Sequence, residues 1–203
     1  MAYVADYPLE DETLLAARRR AEEFGAEPVT ADAGATLRLL AAAIEARAVV
    51  EIGTGCGVSG LWLLRGMRAD GILTTVDVEP EHQRLARETF VGDGFAANRM
   101  RLIGGRALDV LPRLTDGGYD LVFCDAAKRE YPEYLTEALR LLRPGGVLAF
   151  DDALGGDSVA DPGQDDTETS AVRELVRGVR EDERLIPALL PTGQGLLTAV
   201  KRA

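Results

Sequence analysis

Two cysteines, one histidine and one tryptophan are all that this chain of 203 residues holds of those types. Two cysteines make no disulfide framework. Cys56 lies in a glycine turn and Cys124 ends an apolar run, and both read as free thiols of a reducing, cytoplasmic setting. No apolar run approaches the roughly 18 residues of a membrane span, and Met1–Asp6 lacks the basic and apolar regions of a signal peptide. Positive charge is also short. With 23 Lys and Arg against 34 Asp and Glu, the net charge of −11 repels a polyanion, so no nucleic-acid partner is expected. The one basic run, Arg18-Arg19-Arg20, leads directly to Glu22 and Glu23 and reads as a solvated helix face. Internal repeats and low-complexity tracts are absent from the sequence as well.

What remains is a composition 46% hydrophobic, enough for one globular domain over 1–203. Its organising stretch is Val49-Val50-Glu51-Ile52-Gly53-Thr54-Gly55-Cys56-Gly57-Val58-Ser59. A short β-branched run stops at three alternating glycines, and a helical pattern through Val58, Leu61, Trp62 and Arg65 follows. Glycine permits positive φ and close approach of a ligand, and the helix behind presents free N–H groups. An ordinary Gly-rich strand–helix turn is the alternative.

Before this corner the pattern gives two helices. One covers 9–24 and ends at Gly25, and the other is capped by Thr30 or Asp32 with Leu37, Leu40 and Ile44 on one face. Residues 1–46 therefore form an N-terminal helical cover, and 47–203 form the core. The core alternates strands at 48–52, 72–76, 100–103, 120–124 and 147–150 with helices at 58–67, from Pro80 to Gly92–Gly94, 107–114 and 130–142. Pro144-Gly145-Gly146 reads as the turn before the fifth strand. A Gly, Asp and Pro-rich loop at 151–166, a helix at 168–181 and strands at 185–189 and 196–200 complete it. Alternation of this kind predicts a doubly wound α/β fold, with a mostly parallel seven-stranded sheet and helices on both faces.

Acids stand at the strand ends: Glu51, Asp77, Asp125 and the pair Asp151-Asp152. Parallel strands bring those ends to one edge, where open α/β sheets bind ligands. Each acid alone also fits a helix N-cap; five carboxylates together repel one another unless a cation or hydroxyl groups offset them. Asp77 lies 24 residues past Gly53, where such folds place an acid for a ribose diol. Gly55 to Gly60 matches the dinucleotide pattern G-x-G-x-x-G, but that register starts late after the strand, and the spacing from Glu51 fits better. Asp125, Asp151 and Asp152 suit Mg²⁺ or Ca²⁺ as hard oxygen ligands, with solvated loop acids as the alternative. Lys128, three residues past Asp125, is a surface lysine or, near a bound cation, a base of lowered pKa. His82 reads as a surface residue, Trp62 as core, and Tyr131 and Tyr134 as facing either an acceptor or the helix packing. The acidic loop Asp157–Asp166 reads as a lid or as a solvated loop.

Together these motifs resemble the cation-dependent S-adenosylmethionine (SAM) O-methyltransferases of the catechol and caffeoyl-CoA type. The resemblance runs from Glu27 to Lys201 and is carried by Val-Glu-Ile-Gly-Thr-Gly-Cys-Gly-Val-Ser, Thr-Val-Asp-Val-Glu-Pro-Glu, Tyr-Asp-Leu-Val-Phe-Cys-Asp-Ala-Ala-Lys, Leu-Arg-Pro-Gly-Gly-Val, Asp-Asp-Ala-Leu and the closing Leu190–Leu196. It implies a Rossmann-like methyltransferase fold with the N-terminal helices over the cofactor cleft. Glu51, Gly53 and Ser59 would hold the methionine end, beside Gly55 and Gly57, with the backbone near Val29 closing over it. Asp77 would take the ribose hydroxyls and Ala107 would lie by the adenine. Asp125, which also borders the cofactor, would bind Mg²⁺ with Asp151 and Asp152. Lys128 matches the catalytic lysine, and a homodimer acting on a small phenolic acceptor is implied. Three positions depart from the family pattern: Asp152 stands for asparagine, Gly155 for tryptophan and Gln194 for aspartate. They leave open a metal-independent methyltransferase and a changed acceptor pocket. An NAD(P)-dependent oxidoreductase and a non-catalytic SAM-binding protein are the rival functions.

Overall fold

The computed structural model describes residues 7–203, so the signal-peptide reading of Met1–Asp6 lies outside the described residues. Two helices come first. Helix α1 (Glu12–Glu23) is capped by the Asp11 carboxylate, which accepts from the Leu14 N–H. Helix α2 (Ala31–Ala43) is capped by Thr30, so of the two candidate caps it is the threonine that serves. The Arg18-Arg19-Arg20 run lies on α1, where Arg18 pairs with Glu10 and Arg19 with Glu12, as a solvated face requires.

The core then alternates as β1 (Ala48–Ile52), α3 (Val58–Gly66), β2 (Ile72–Asp77), α4 (Pro80–Gly92), β3 (Met100–Gly104), the short α5 (Ala107–Val110), β4 (Tyr119–Cys124), α6 (Tyr131–Leu141), β5 (Leu142–Phe150), α7 (Thr167–Glu181), β6 (Leu185–Leu190) and β7 (Leu196–Lys201). The seven strands lie in the order β3-β2-β1-β4-β5-β7-β6. β7 runs antiparallel to both its neighbours, and the other pairs are parallel. This is the expected α/β architecture. Its order reverses between β1 and β4, the kind of switch point where ligands bind.

Side chains alternate across the sheet. Val49, Leu121, Phe123 and Val147 face the layer of α1–α4, whereas Val50, Ile52, Val122 and Phe150 face α6 and α7. Trp62 is core, as its helical spacing suggested, and packs against Gly34, where a Cβ would lie 2.3 Å from the indole. One boundary differs from the sequence reading. β5 starts at Leu142, ahead of Pro144-Gly145-Gly146, but the chain still turns at those residues: Gly145 has φ +75°, and the pairing with β4 steps from Tyr119–Leu142 to Leu121–Val147 across them. Arg143 reaches back to Asp120, whose other oxygen accepts the Arg47 and Ala48 N–H groups, and that bracket ties the irregular segment to the starts of β1 and β4. Among the described residues no helix is long and apolar enough to cross a membrane.

Candidate active site

The first glycine corner is built by packing. Gly53 has φ +95°, and a Cβ there would sit 1.9 Å from the Asp125 carbonyl oxygen. That contact exists because β4 continues β1's ladder: the Asp125 N–H donates to the Ile52 carbonyl at 2.8 Å. Gly57, also at positive φ, faces Ala86 and Phe90 of α4 and caps α3, and Gly55 has only Ala26 within 4 Å. Gly53 and Gly55 border a cavity of about 540 Å³, together with Val29, Ser59, Asp77, Ala107 and Asp125. Seven of the positions singled out from sequence thus meet at one cavity. Glu51 and Gly57 lie behind its wall.

Glu51 is fully buried, accepting Ser59 Oγ–H at 2.7 Å and Thr75 Oγ1–H at 2.6 Å. Burial lifts its carboxyl to about 7, against the pull of those two hydroxyls. Thr75 spends its proton on Glu51, so Thr54 Oγ1 donates to Thr75 Oγ1 at 2.7 Å. Asp77 is held by backbone: Thr54 and Gly55 N–H donate to Oδ2 and Glu79 N–H to Oδ1, each at 2.9 Å.

The other acids crowd together across the switch point. Burial first, and then the Asp151, Asp152 and Glu51 carboxylates, push Asp125 well above the carboxylate range. Asp151 is lifted to about 7 by burial and by Asp152. Asp152 takes φ +57°, a left-handed backbone that Asp and Asn tolerate, and its Oδ2 lies 2.7 Å from Lys128 Nζ. Burial alone would lower the Lys128 pKa, but the bond to Asp152 and the charges of Asp152 and Asp125 outweigh it and raise it. The lowered value expected of Lys128 belongs to a site that holds a cation; with carboxylates alone around it the direction is upward.

Lys128 and Asp152 border a second cavity of about 360 Å³, which Glu27 shares with the first. Glu27, Asp166 and Glu168 add acids to its lining, and Lys128 is its one cation among the described residues. Gly155 has φ +52°, with a Cβ placed 2.7 Å from Ser158 Oγ, so a tryptophan would be strained in this tight turn. Asp166 is the N-cap of α7, accepting from the Thr169 N–H. Tyr131 is buried in the core, donating to the Asp151 carbonyl at 3.2 Å, and Tyr134 borders the larger cavity.

Among the described residues no group of three or more His, Cys, Asp or Glu is gathered as a metal site. The chemistry of the donors nonetheless suits a hard divalent cation: clustered carboxylates that repel, and a buried Asp151 Oδ1 with no hydrogen-bond partner.

His82 departs from its surface reading. It borders the larger cavity, with its side chain 17% exposed and Nδ1 3.7 Å from Asp77 Oδ2. A sequence signal for it existed: it lies five residues past Asp77, on the first turn of a helix that must begin at this edge.

Comparisons with known proteins agree with the fold. The model of an O-methyltransferase family matches residues 9–202. A Mycobacterium tuberculosis protein named as a probable O-methyltransferase is 55% identical over 192 residues, which is 95% of this chain and 86% of the relative. The O-methyltransferase TomG of Streptomyces achromogenes, involved in tomaymycin synthesis and solved in complex with SAM, is 32% identical with a TM-score of 0.89, over 100% of this chain and 95% of that one. An O-methyltransferase from Bacillus cereus, solved with SAH, is 28% identical with a TM-score of 0.89, over 99% and 96% of the two chains. Matched in sequence over almost its whole length and in fold over all of it, the chain belongs to the O-methyltransferase family.

Proposed function

We propose that this protein moves a methyl group from SAM to a hydroxyl of a small phenolic, catechol-like acceptor, assisted by Mg²⁺ at Asp125, Asp151 and Asp152. One observation carries the reading. A glycine-cornered cavity bordered by Asp77 and Asp125 meets, at Glu27, a smaller cavity bordered by Lys128 and Asp152. That is room for a nucleoside-bearing donor on one side and a small acceptor on the other. Solved relatives that hold SAM or SAH in this fold support the donor.

The larger cavity fixes the donor by its backbone and by Asp77, and the acceptor oxygen approaches from the smaller one, in line with the sulfonium–methyl bond. A free phenol, pKa about 10, is mostly protonated at neutral pH. A bound Mg²⁺ would supply Lewis-acid charge that favours the phenolate of a chelating diphenol. Lys128 does the rest. Held as an ammonium by Asp152, its Nζ stands beside the acceptor oxygen and stabilises the phenolate as the hydroxyl proton leaves to solvent. The phenolate forms the O–CH₃ bond as the S–CH₃ bond breaks.

The acids around the smaller cavity favour an acceptor that is neutral or carries an amine, and disfavour carboxylates and phosphates. A metal-free reading is favoured by the Lys128–Asp152 pair, an internal cation already seated on one proposed ligand. One experiment separates these. Vicinal diphenols bearing an amine, no charge or a carboxylate are assayed after EDTA treatment, with and without Mg²⁺. Turnover is expected to need Mg²⁺ and to follow the order amine, neutral, carboxylate, with at least about a tenfold span in kcat/KM, or ~1.4 kcal/mol. Chelator-insensitive turnover selects the metal-free reading. SAH binding without turnover of any phenol overturns the enzyme assignment.

A further inference from the structure

His82 has partners on two sides. Its Nε2 faces the carbonyl oxygen of Phe24, the C-cap residue of α1, at 3.4 Å. Its Nδ1 faces Asp77 Oδ2 at 3.7 Å, too far for a hydrogen bond. Between them the ring forms part of the wall of the larger cavity.

Asp77 explains why the ring matters. A carboxylate offers about four lone-pair sites. Backbone N–H groups of Thr54 and Gly55 fill two on Oδ2, and that of Glu79 fills one on Oδ1. About one acceptor site is left, whereas a vicinal diol presents two O–H donors. A second acceptor is required nearby. The tautomer that donates from Nε2 to the Phe24 carbonyl leaves a lone pair on Nδ1, beside the carboxylate, on a ring that borders the same cavity.

We propose that His82 is a cofactor-binding residue, its Nδ1 accepting one ribose hydroxyl of the donor while Asp77 accepts the other. The assignment rests on the SAM reading above and adds to it a specific contact. Because the same ring is braced against the end of α1, that contact also joins the nucleoside to the N-terminal helical cover.

Calorimetric titration of the full chain with SAH and with its 2′,3′-dideoxy analogue tests this. His82→Phe keeps a flat ring and removes both nitrogens; His82→Asn keeps an amide oxygen as acceptor. Expected for His82→Phe is SAH binding weaker by about five- to tenfold, the scale of one hydrogen bond, with no change in affinity for the dideoxy analogue. His82→Asn recovers part of the loss. A loss of equal size for both ligands assigns the ring to packing and overturns the proposal, as does unaltered SAH binding in His82→Phe. A wild type that binds the two ligands equally well overturns it too, while leaving the cofactor reading intact. A wild type that binds neither overturns both.

Discussion

The tips of β1 and β2 and the tips of β4 and β5 carry the same kind of residue and treat it in opposite ways. At the first pair, Glu51 accepts two hydroxyls and Asp77 three backbone N–H groups. At the second, burial and the neighbouring carboxylates raise Asp125 and Asp151, Asp152 pairs with Lys128, and Asp151 Oδ1 is buried without a partner. The first arrangement is set by the fold itself and gives a rigid cradle. The second holds more negative charge than its own residues offset, so whatever binds there gains by being positive or by giving up a proton. On the proposed function, this difference separates donor recognition from acceptor chemistry within one sheet edge.

The separation breaks first at Gly53. Gly53→Ala places a methyl 1.9 Å from the Asp125 carbonyl oxygen at φ +95°, and the cost is expected to be about 3 kcal/mol or more in urea unfolding. Gly55→Ala, with only Ala26 at 3.9 Å and φ +48°, is expected to cost about 1–2 kcal/mol. Equal costs would mean that the corner is not set by β4's backbone. Next comes Lys128. Because it borders the smaller cavity and not the larger, Lys128→Ala is expected to lower kcat at least about 100-fold with SAH affinity unchanged by calorimetry. A parallel loss of SAH affinity would merge the two regions into one.

These two regions were not equally legible in the sequence. The corner follows from local signals: a β-branched run, alternating glycines and a helix whose start is fixed by the turn. Helix and strand positions followed similarly, and the boundary that differs, the start of β5 at Leu142, lies where a long-range bond from Arg143 to Asp120 decides. The acids at the strand ends were found because parallel topology gathers them. What each acid does was not legible. Whether an acid meets backbone N–H groups, a lysine or another acid depends on side-chain directions that spacing does not encode. Lys128 illustrates this: one of only two lysines in the chain, it drew notice by position, but the partner that raises its pKa lies 24 residues away. His82 was read from its helix alone, while its cavity is assembled from β1, β2 and the end of α1.

The smallest expected effect tests whether the cradle's own acid is as well provided for as its hydrogen bonds suggest. Two hydroxyls do not cancel burial at Glu51, and its pKa in the folded chain is about 7 against an ordinary 4.5. Below about pH 4.5 both folded and unfolded forms hold the proton, and stability is unaffected. Between there and about pH 7 the folded form keeps a proton that the unfolded form releases, so stability falls as pH rises, and above that the loss is constant. Glu51→Gln removes the titration while its amide oxygen still accepts one hydroxyl. Between pH 5 and pH 8 the wild type is therefore expected to lose more melting temperature than Glu51→Gln, by a few degrees at roughly 2–4 °C per kcal/mol for a chain of this size. The β4 and β5 acids titrate in both proteins, and of their shifts only the part of Asp125's that Glu51 supplies differs between the two. Parallel melting curves across that range would place Glu51 in an ionised, fully compensated state and put the two strand-end regions on the same electrostatic footing.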